Sequence, residues 1–308
     1  MRFALIRTAA LAIILATAVS PELGGNAEAQ PASGQPLRVL ATTTQIQDFV
    51  RNVGGHRITV IPIMQGDEDA HEFQPTAADA RAVADADVIF ANGVDLETWF
   101  DRLARNARGG VPIVKLGEVS GITLRPGDES ASLGDPHVWF DPTNAQRMVV
   151  GIRDTLKRVD PAGQSTYDEN TANYASQLDQ LDRDIMAQWA AVPVDQRKLV
   201  TNHEAFGYYV SRYGITFVGS VLPISTDAEP SAAETLKLIQ DIRAQNVRAI
   251  FTESSINPRL AEQISQQTGV RIFSNLYGDS LGKPGSEGDT YLKMMRFNTQ
   301  TVIAGMTG

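Results

Sequence analysis

The sequence predicts an α/β protein of two lobes, each a mostly parallel sheet flanked by helices, joined by one long rigid helix. Three observations carry that prediction. Short apolar runs rich in β-branched residues alternate with amphipathic stretches, which implies βαβ units and a parallel sheet covered on both faces. The alternation occurs twice, once on each side of a central segment. That segment has no Gly or Pro between Gly163 and Pro193 and carries a single apolar stripe. At 308 residues the chain has the length of two domains, at roughly 100–200 residues each.

In the N-terminal lobe, expected over 37–162, Arg38–Thr42 reads as a buried strand and Gln45–Val53 as a helix. The β-branched run Ile58–Ile63 is a strand, Thr76–Ala84 a helix and Asp87–Ala91 a strand. Asp95–Asn106 places Leu96, Trp99, Phe100 and Leu103 at helical spacing, and Val111–Val114 is a fourth strand. A helix starts near Thr143. The linking helix, 163–193, repeats Tyr167, Thr171, Tyr174, Leu178, Leu181, Ile185 and Trp189 at four- and three-residue steps, so its stripe must rest on both lobes.

The C-terminal lobe, 194–308, repeats the pattern. Lys198–Thr201, Ile215–Val218, Arg248–Thr252 and Val270–Phe273 read as strands. Glu204–Tyr213, Pro258–Thr268 and Tyr291–Ala304 read as helices, and Ser231 with Glu234 has the spacing of a capping box opening a helix to about Gln245.

The chain opens as an exported protein does. Arg2 and Arg7 precede the apolar run Ala9–Ala16, and Ala27-Glu28-Ala29 offers a small-x-small cleavage site. A membrane anchor would need ~20 consecutive apolar residues, and Ser20, Pro21 and Glu22 interrupt the run too early. Residues 1–29 are therefore expected to be a signal peptide and 30–36 a disordered leader, with the mature protein in the periplasm. The chain contains no cysteine. That excludes disulfides and thiolate metal sites, and it removes the residue on which a bacterial lipoprotein carries its lipid. Net charge is −9, with no basic stripe, which argues against nucleic acid as a partner.

Against this background the four histidines are informative. His71, in Gly66–Pro75, follows a strand through an acidic loop. His137 lies in Asp135-Pro136-His137-Val138-Trp139-Phe140-Asp141-Pro142, and His203 ends the Lys198–Thr201 strand. Ligands of open α/β sheets bind beyond the carboxyl ends of strands, so these three point to one site between the lobes. His56 sits at the opposite end of its strand and is assigned to the surface. Asp279, after the Val270–Phe273 strand, supplies a fourth donor. Three imidazoles and a carboxylate form a tetrahedral shell for a borderline divalent ion. With Zn²⁺ that shell carries a charge of about +1, which Glu72, Glu204 or Glu253 nearby could relieve. Trp139 and Phe140 read as core or cleft wall.

Catalysis is the competing reading. His71-Glu72 and His203-Glu204 both begin like the H-E-x-x-H helix of zinc hydrolases, but Pro75 and Gly207 stand where the second histidine belongs. A catalytic zinc usually keeps three protein ligands and an open water position, so a secreted hydrolase stays open if Asp279 does not bind.

Taken in order, several stretches resemble one family. They are Asp69-Ala70-His71-Glu72-Phe73-Gln74-Pro75-Thr76, Ala91-Asn92-Gly93-Val94-Asp95-Leu96-Glu97, the Asp135–Pro142 segment, Asn202-His203-Glu204-Ala205-Phe206-Gly207-Tyr208, Glu229-Pro230-Ser231 and Gly278-Asp279-Ser280-Leu281-Gly282. The chain resembles the metal-binding solute-binding proteins of bacterial ABC importers, the zinc/manganese group called cluster A-I. The resemblance implies two lobes on a long helix and a metal held in the cleft. It also implies delivery of that metal to an inner-membrane permease, with a periplasmic metallochaperone as a potential loader and the protein itself a monomer. His71, His137, His203 and Asp279 fall on the family's ligand positions. Manganese-type members often place glutamate at the third position, whereas zinc-type members place histidine, as His203 does. Nitrogen-rich ligation also favours zinc on softness grounds, with manganese the alternative. Unlike many zinc members, the chain has no histidine in the short Gly121–Gly134 segment.

Overall fold

The computed structural model describes residues 35–308; the expected signal peptide and nearly all of the leader lie outside the described residues. The first lobe runs β1 (Leu37–Ala41), α1 (Thr44–Gly54), β2 (Ile58–Pro62), α2 (Ala77–Asp85), β3 (Val88–Ala91), α3 (Phe100–Ala104), β4 (Ile113–Lys115), α4 (Leu116–Val119) and α5 (Pro142–Val159). The long helix α6 spans Gln164–Ala190, 27 residues. The second lobe runs β5 (Lys198–His203), α7 (Gly207–Tyr213), β6 (Thr216–Leu222), α8 (Ala232–Ala244), β7 (Ala249–Glu253), α9 (Arg259–Thr268), β8 (Arg271–Leu276) and α10 (Tyr291–Thr307).

Among the described residues the strands form two four-stranded sheets, β2-β1-β3-β4 and β6-β5-β7-β8. Every pairing is parallel, for instance Val39 opposite Val60 and Val88, and Thr201 opposite Ser220 and Phe251. The two sheets share one topology, so both present the same end of their strands to the cleft. Local signals set the helix starts. Thr76 and Asp79 cap α2 reciprocally, Ser231 and Glu234 do the same for α8, and Asp141 caps α5 with Pro142 in the first turn. Such caps stabilise a helix by about 1 kcal/mol each.

The stripe of α6 is buried along its whole length, and Asp182 is buried with it. Its first half faces the first lobe, where Asn170 donates to the Val53 carbonyl and Tyr174 to Asp48. Its second half faces the other lobe, where Trp189 donates to Tyr209 and Arg212 pairs with Asp182. The C-terminal helix α10 crosses back: Tyr291 N donates to Asp48 and its hydroxyl to the Trp139 carbonyl. One apolar core therefore runs from β1 through α6 to Phe251 and Met295, and a second lies under α8 and α9.

Two expected helices are shorter than their periodicity implies. Leu96, Trp99, Phe100 and Leu103 are all buried, yet only Phe100–Ala104 is α-helical. Gly93, Val94 and Asp95 take left-handed backbone, and buried Glu97 turns back to accept from the N–H groups of Asn92 and Gly93 and from the Thr42 hydroxyl. A loop tied to its own glutamate replaces the first part of the expected helix, from Asp95 to Trp99. The helix expected from Glu204 starts at Gly207, because β5 continues to His203 and Glu204 N still bonds to the Pro223 carbonyl.

Candidate metal centre

The side chains of His71, His137, His203 and Asp279 meet in the cleft. All four are buried, and one nitrogen or oxygen from each lies within 4.8 Å of the others. His71 comes from the loop after β2, His137 from the loop before α5, His203 from the last position of β5 and Asp279 from the loop after β8. His71 Nε2 is 3.4 Å from His137 Nε2 and 3.7 Å from Asp279 Oδ2. His137 Nε2 is 3.2 Å from Asp279 Oδ1, and His203 Nδ1 is 4.0 Å from Asp279 Oδ2. Ligands ~2.0–2.2 Å from a metal stand roughly 3–3.6 Å apart: the two separations at His137 already match, and the others are wider, so His71 and His203 would draw in slightly around an ion.

Each imidazole is oriented by a different device. Asp135 Oδ1 accepts from both His137 N and His137 Nδ1, at 3.0 and 2.8 Å. The proton is thereby held on Nδ1, and Nε2 is turned toward Asp279. The Trp139 ring packs against the same imidazole in a T-shaped arrangement. His71 N donates to Asp69 Oδ1, and Trp99 Nε1 donates to the Ala70 carbonyl, pinning that loop. His203 donates Nε2–H to the Ile224 carbonyl at 2.8 Å, so its Nδ1 faces the cluster, 3.2 Å from Glu253 Oε1.

The electrostatics match a cation site. Burial, opposed by the Asp279 carboxylate but reinforced by His137 and His203, pulls His71 down to about 3, so its ring is neutral. Burial also opposes charge on His203, yet Asp279 and Glu253 lift it to about 10. Asp279 is driven upward by burial, but His203 and His71 more than reverse this and hold it below the usual carboxylate range. Burial and Asp279 push Asp69 up to about 7. Both oxygens of Asp279 lack a hydrogen-bond partner among the described residues, as do His71 Nδ1 and Glu253 Oε2. A buried carboxylate without donors is stable only with a cation. The cluster has the composition and spacing to hold one.

The three glutamates expected near the shell separate. Glu253 is buried against His203. Glu72 is exposed and Glu204 half-buried, and among the described residues neither side chain hydrogen-bonds to the cluster. Glu72 lines a groove of ≈ 580 Å³ together with Asp69, Thr226 and Glu229. His56 is exposed, and Trp139 and Phe140 are buried. Asp135 and Asp69 escaped the sequence reading. Their signal was there as a shared pattern, since each stands two residues before a histidine and accepts its N–H.

The family model for ZnuA, zinc-uptake complex component A, periplasmic, matches residues 39–305. A manganese ABC transporter substrate-binding lipoprotein PsaA of Streptococcus mitis is 30% identical over 281 residues, 89% of this chain and 91% of that protein. The manganese-binding lipoprotein MntA of Halalkalibacterium halodurans is 31% identical over 274 residues, 89% and 90% of the two chains. Among solved structures, the periplasmic zinc-binding protein TroA of Treponema pallidum superposes with a TM-score of 0.84 at 30% identity, over 89% of this chain and all of that one. A manganese-bound periplasmic metal-binding protein of Candidatus Liberibacter asiaticus gives 0.80 at 26% identity, over 88% and 99%.

Proposed function

This chain belongs to the ZnuA family, metal-binding solute-binding proteins of ABC importers, and we propose that its cargo is zinc, held by His71, His137, His203 and Asp279. The family consists of transport proteins that capture a solute outside the cytoplasm, not of enzymes, and its partner is a membrane permease. The observation carrying the zinc reading is the donor set: three buried imidazoles converging on a carboxylate that has no hydrogen-bond partner among the described residues. Such a shell suits a borderline ion that accepts four ligands. Asp279 occupies the place a catalytic zinc would leave to water, which also weighs against a hydrolase.

Manganese is the second reading. The relatives PsaA and MntA are named for it, whereas TroA is named for zinc. Titration calorimetry on metal-free protein distinguishes the two. We expect one ion per chain and tighter binding of zinc than of manganese. His203→Ala should weaken zinc binding by more than the roughly 10–100-fold typical of changes outside the ligand shell. Failure to bind either metal would overturn the reading. Elemental analysis of protein from its native compartment identifies the physiological cargo.

We further propose that the protein works as a monomer in the periplasm after cleavage near Ala29. The relatives above are named as lipoproteins, while this sequence has no cysteine. Recovery in the soluble periplasmic fraction supports release; recovery with membranes contradicts it.

A further inference from the structure

His203 takes its orientation from a carbonyl that lies in neither a helix nor a strand. Ile224, Ser225 and Thr226 follow β6 as buried, irregular chain. Each is bonded to the opposite lobe: Ile224 N donates to Asp128 Oδ2, Ser225 N to Ser130 Oγ, and the Thr226 hydroxyl to Asp69. Asp128 and Ser130 belong to the loop between α4 and α5, the short Gly121–Gly134 segment without a histidine.

A peptide unit is planar, so its N–H and C=O are fixed relative to each other. The Ile224 carbonyl and the Ser225 N–H are the two ends of one such unit. His203 Nε2 donates to the carbonyl at 2.8 Å, and Ser130 Oγ accepts from the N–H at 3.0 Å. The Ser130 hydroxyl then donates to Asp128 Oδ1 at 2.6 Å. All the protons of this chain point one way, from the imidazole to the Asp128 carboxylate, and hydrogen bonds so arranged polarise one another. Burial works against the charge on Asp128, but the bonds from Ser130 and Ile224 outweigh it and hold the carboxyl below its ordinary 3.8. The loop is tightly built around these two residues. Asp135 N donates to the Arg125 carbonyl at its base, and a Cβ on Gly127 would collide with the Ala131 carbonyl.

We propose that Asp128 and Ser130 are positioning residues for His203: through the Ile224–Ser225 peptide they hold the proton on Nε2 and so leave Nδ1 for the ion. Asp135 does for His137 directly what this pair does for His203 across the cleft. The pair stands in the first lobe and its histidine in the second. Parting of the lobes would therefore free His203 while Asp135 still holds His137, and His203 would let go of the ion first. The proposal rests on the reading of the cluster as a metal site.

Ser130→Ala removes the acceptor of the Ser225 N–H, whereas Ser130→Thr keeps the hydroxyl. In proton–nitrogen correlation spectra of the metal-free protein, His203 Nε2–H and His137 Nδ1–H should each give a resonance protected from exchange. Ser130→Ala should move the His203 resonance upfield or expose it to exchange and leave that of His137 in place, and Ser130→Thr should restore the wild-type spectrum. Asp128→Asn, which removes the charge at the far end of the chain, should move the same resonance in the same direction. Stopped-flow transfer of zinc to a chelator should run about 10-fold faster from Ser130→Ala, at the low end of what partners of a ligating histidine control. A His203 resonance missing from the wild-type spectrum, or unmoved in both Ser130→Ala and Asp128→Asn, would overturn the proposal. Equal movement of both histidine resonances would mark a general loosening of the cleft and overturn it too, as would zinc release no faster than from wild type. If the resonances behaved as stated but wild-type protein bound no metal, the metal reading would fail and the positioning of His203 would stand.

Discussion

Each lobe lends two donors to the cluster, but the two pairs are held differently. Apart from contacts within the cluster, the hydrogen bonds of His71 and His137 stay inside the first lobe, on Asp69 and Asp135. The second-lobe donors depend on bonds that cross the cleft. The Asp279 loop is gripped by α1: Gln45 Nε2 donates to the Gly278 carbonyl, and Leu281 N donates to Thr44 Oγ1. Asp67 N donates to the Leu281 carbonyl. His203 rests on Ile224, whose own N–H reaches Asp128, while Ser225 N reaches Ser130 and Thr226 reaches Asp69. The first lobe is thus a preset template. The second lobe brings its donors into place only while the cross-cleft bonds hold, so affinity should follow the first set and the release rate the second.

The sharpest test of that difference compares the two aspartates that precede histidines. Asp135→Ala removes the acceptor that sets the tautomer of His137, and should lower metal affinity by about 10–100-fold. Asp69→Ala removes a backbone acceptor from His71 and one cross-cleft bond from Thr226, but leaves the imidazole tautomers alone, and should lower it less. Chelator competition giving the reverse order would break the template idea.

Thr44→Val probes the crossing bonds. It leaves the buried Leu281 N–H without its acceptor, which should destabilise the protein by about 1–3 kcal/mol and speed metal release in stopped-flow transfer to a chelator. Faster release from Asp135→Ala but not from Thr44→Val would reject a cross-cleft control of the off-rate.

The smallest effect concerns Asp48, where α1, α6 and α10 meet. Burial raises its carboxyl above the ordinary 3.8, even though Tyr291 N and Tyr174 donate to it. The folded protein therefore binds that proton more tightly than the unfolded chain does. This contribution to stability is full below pH 3.8 and is lost as pH rises through the folded value. Asp48→Asn should gain stability relative to wild type as pH increases across that window in denaturant titrations. A difference independent of pH would contradict the assignment.

Much of this architecture was legible from residue periodicity. The stripe from Tyr167 to Trp189, the Ser231–Glu234 capping box and the β-branched strands all appear where their spacing placed them, because each follows from contacts within a few residues. The Asp95–Asn106 stretch misled for the opposite reason. Its apolar positions are buried as a helix would bury them, but the backbone there obeys Glu97 and three left-handed residues. Helical spacing reports which side chains are inside, not which backbone carries them. The four residues and their meeting in one cleft could be anticipated, His137 from the loop before a helix and the others from their place after strands; the distances between them and the nitrogen each ring turns inward could not.

By itself, the sequence determined two parallel α/β lobes, a spine between them and histidines at the strand ends, since apolar period and turn residues act locally. Only the tertiary structure decided that His203 turns Nδ1 toward the cluster, that Glu253 rather than Glu72 or Glu204 packs against that histidine, and that α1 grips the Asp279 loop. The bond from Gln45 to Gly278 spans 233 residues. No local pattern encodes such a pair; it exists because packing both lobes on α6 brings the carboxyl ends of the two sheets face to face.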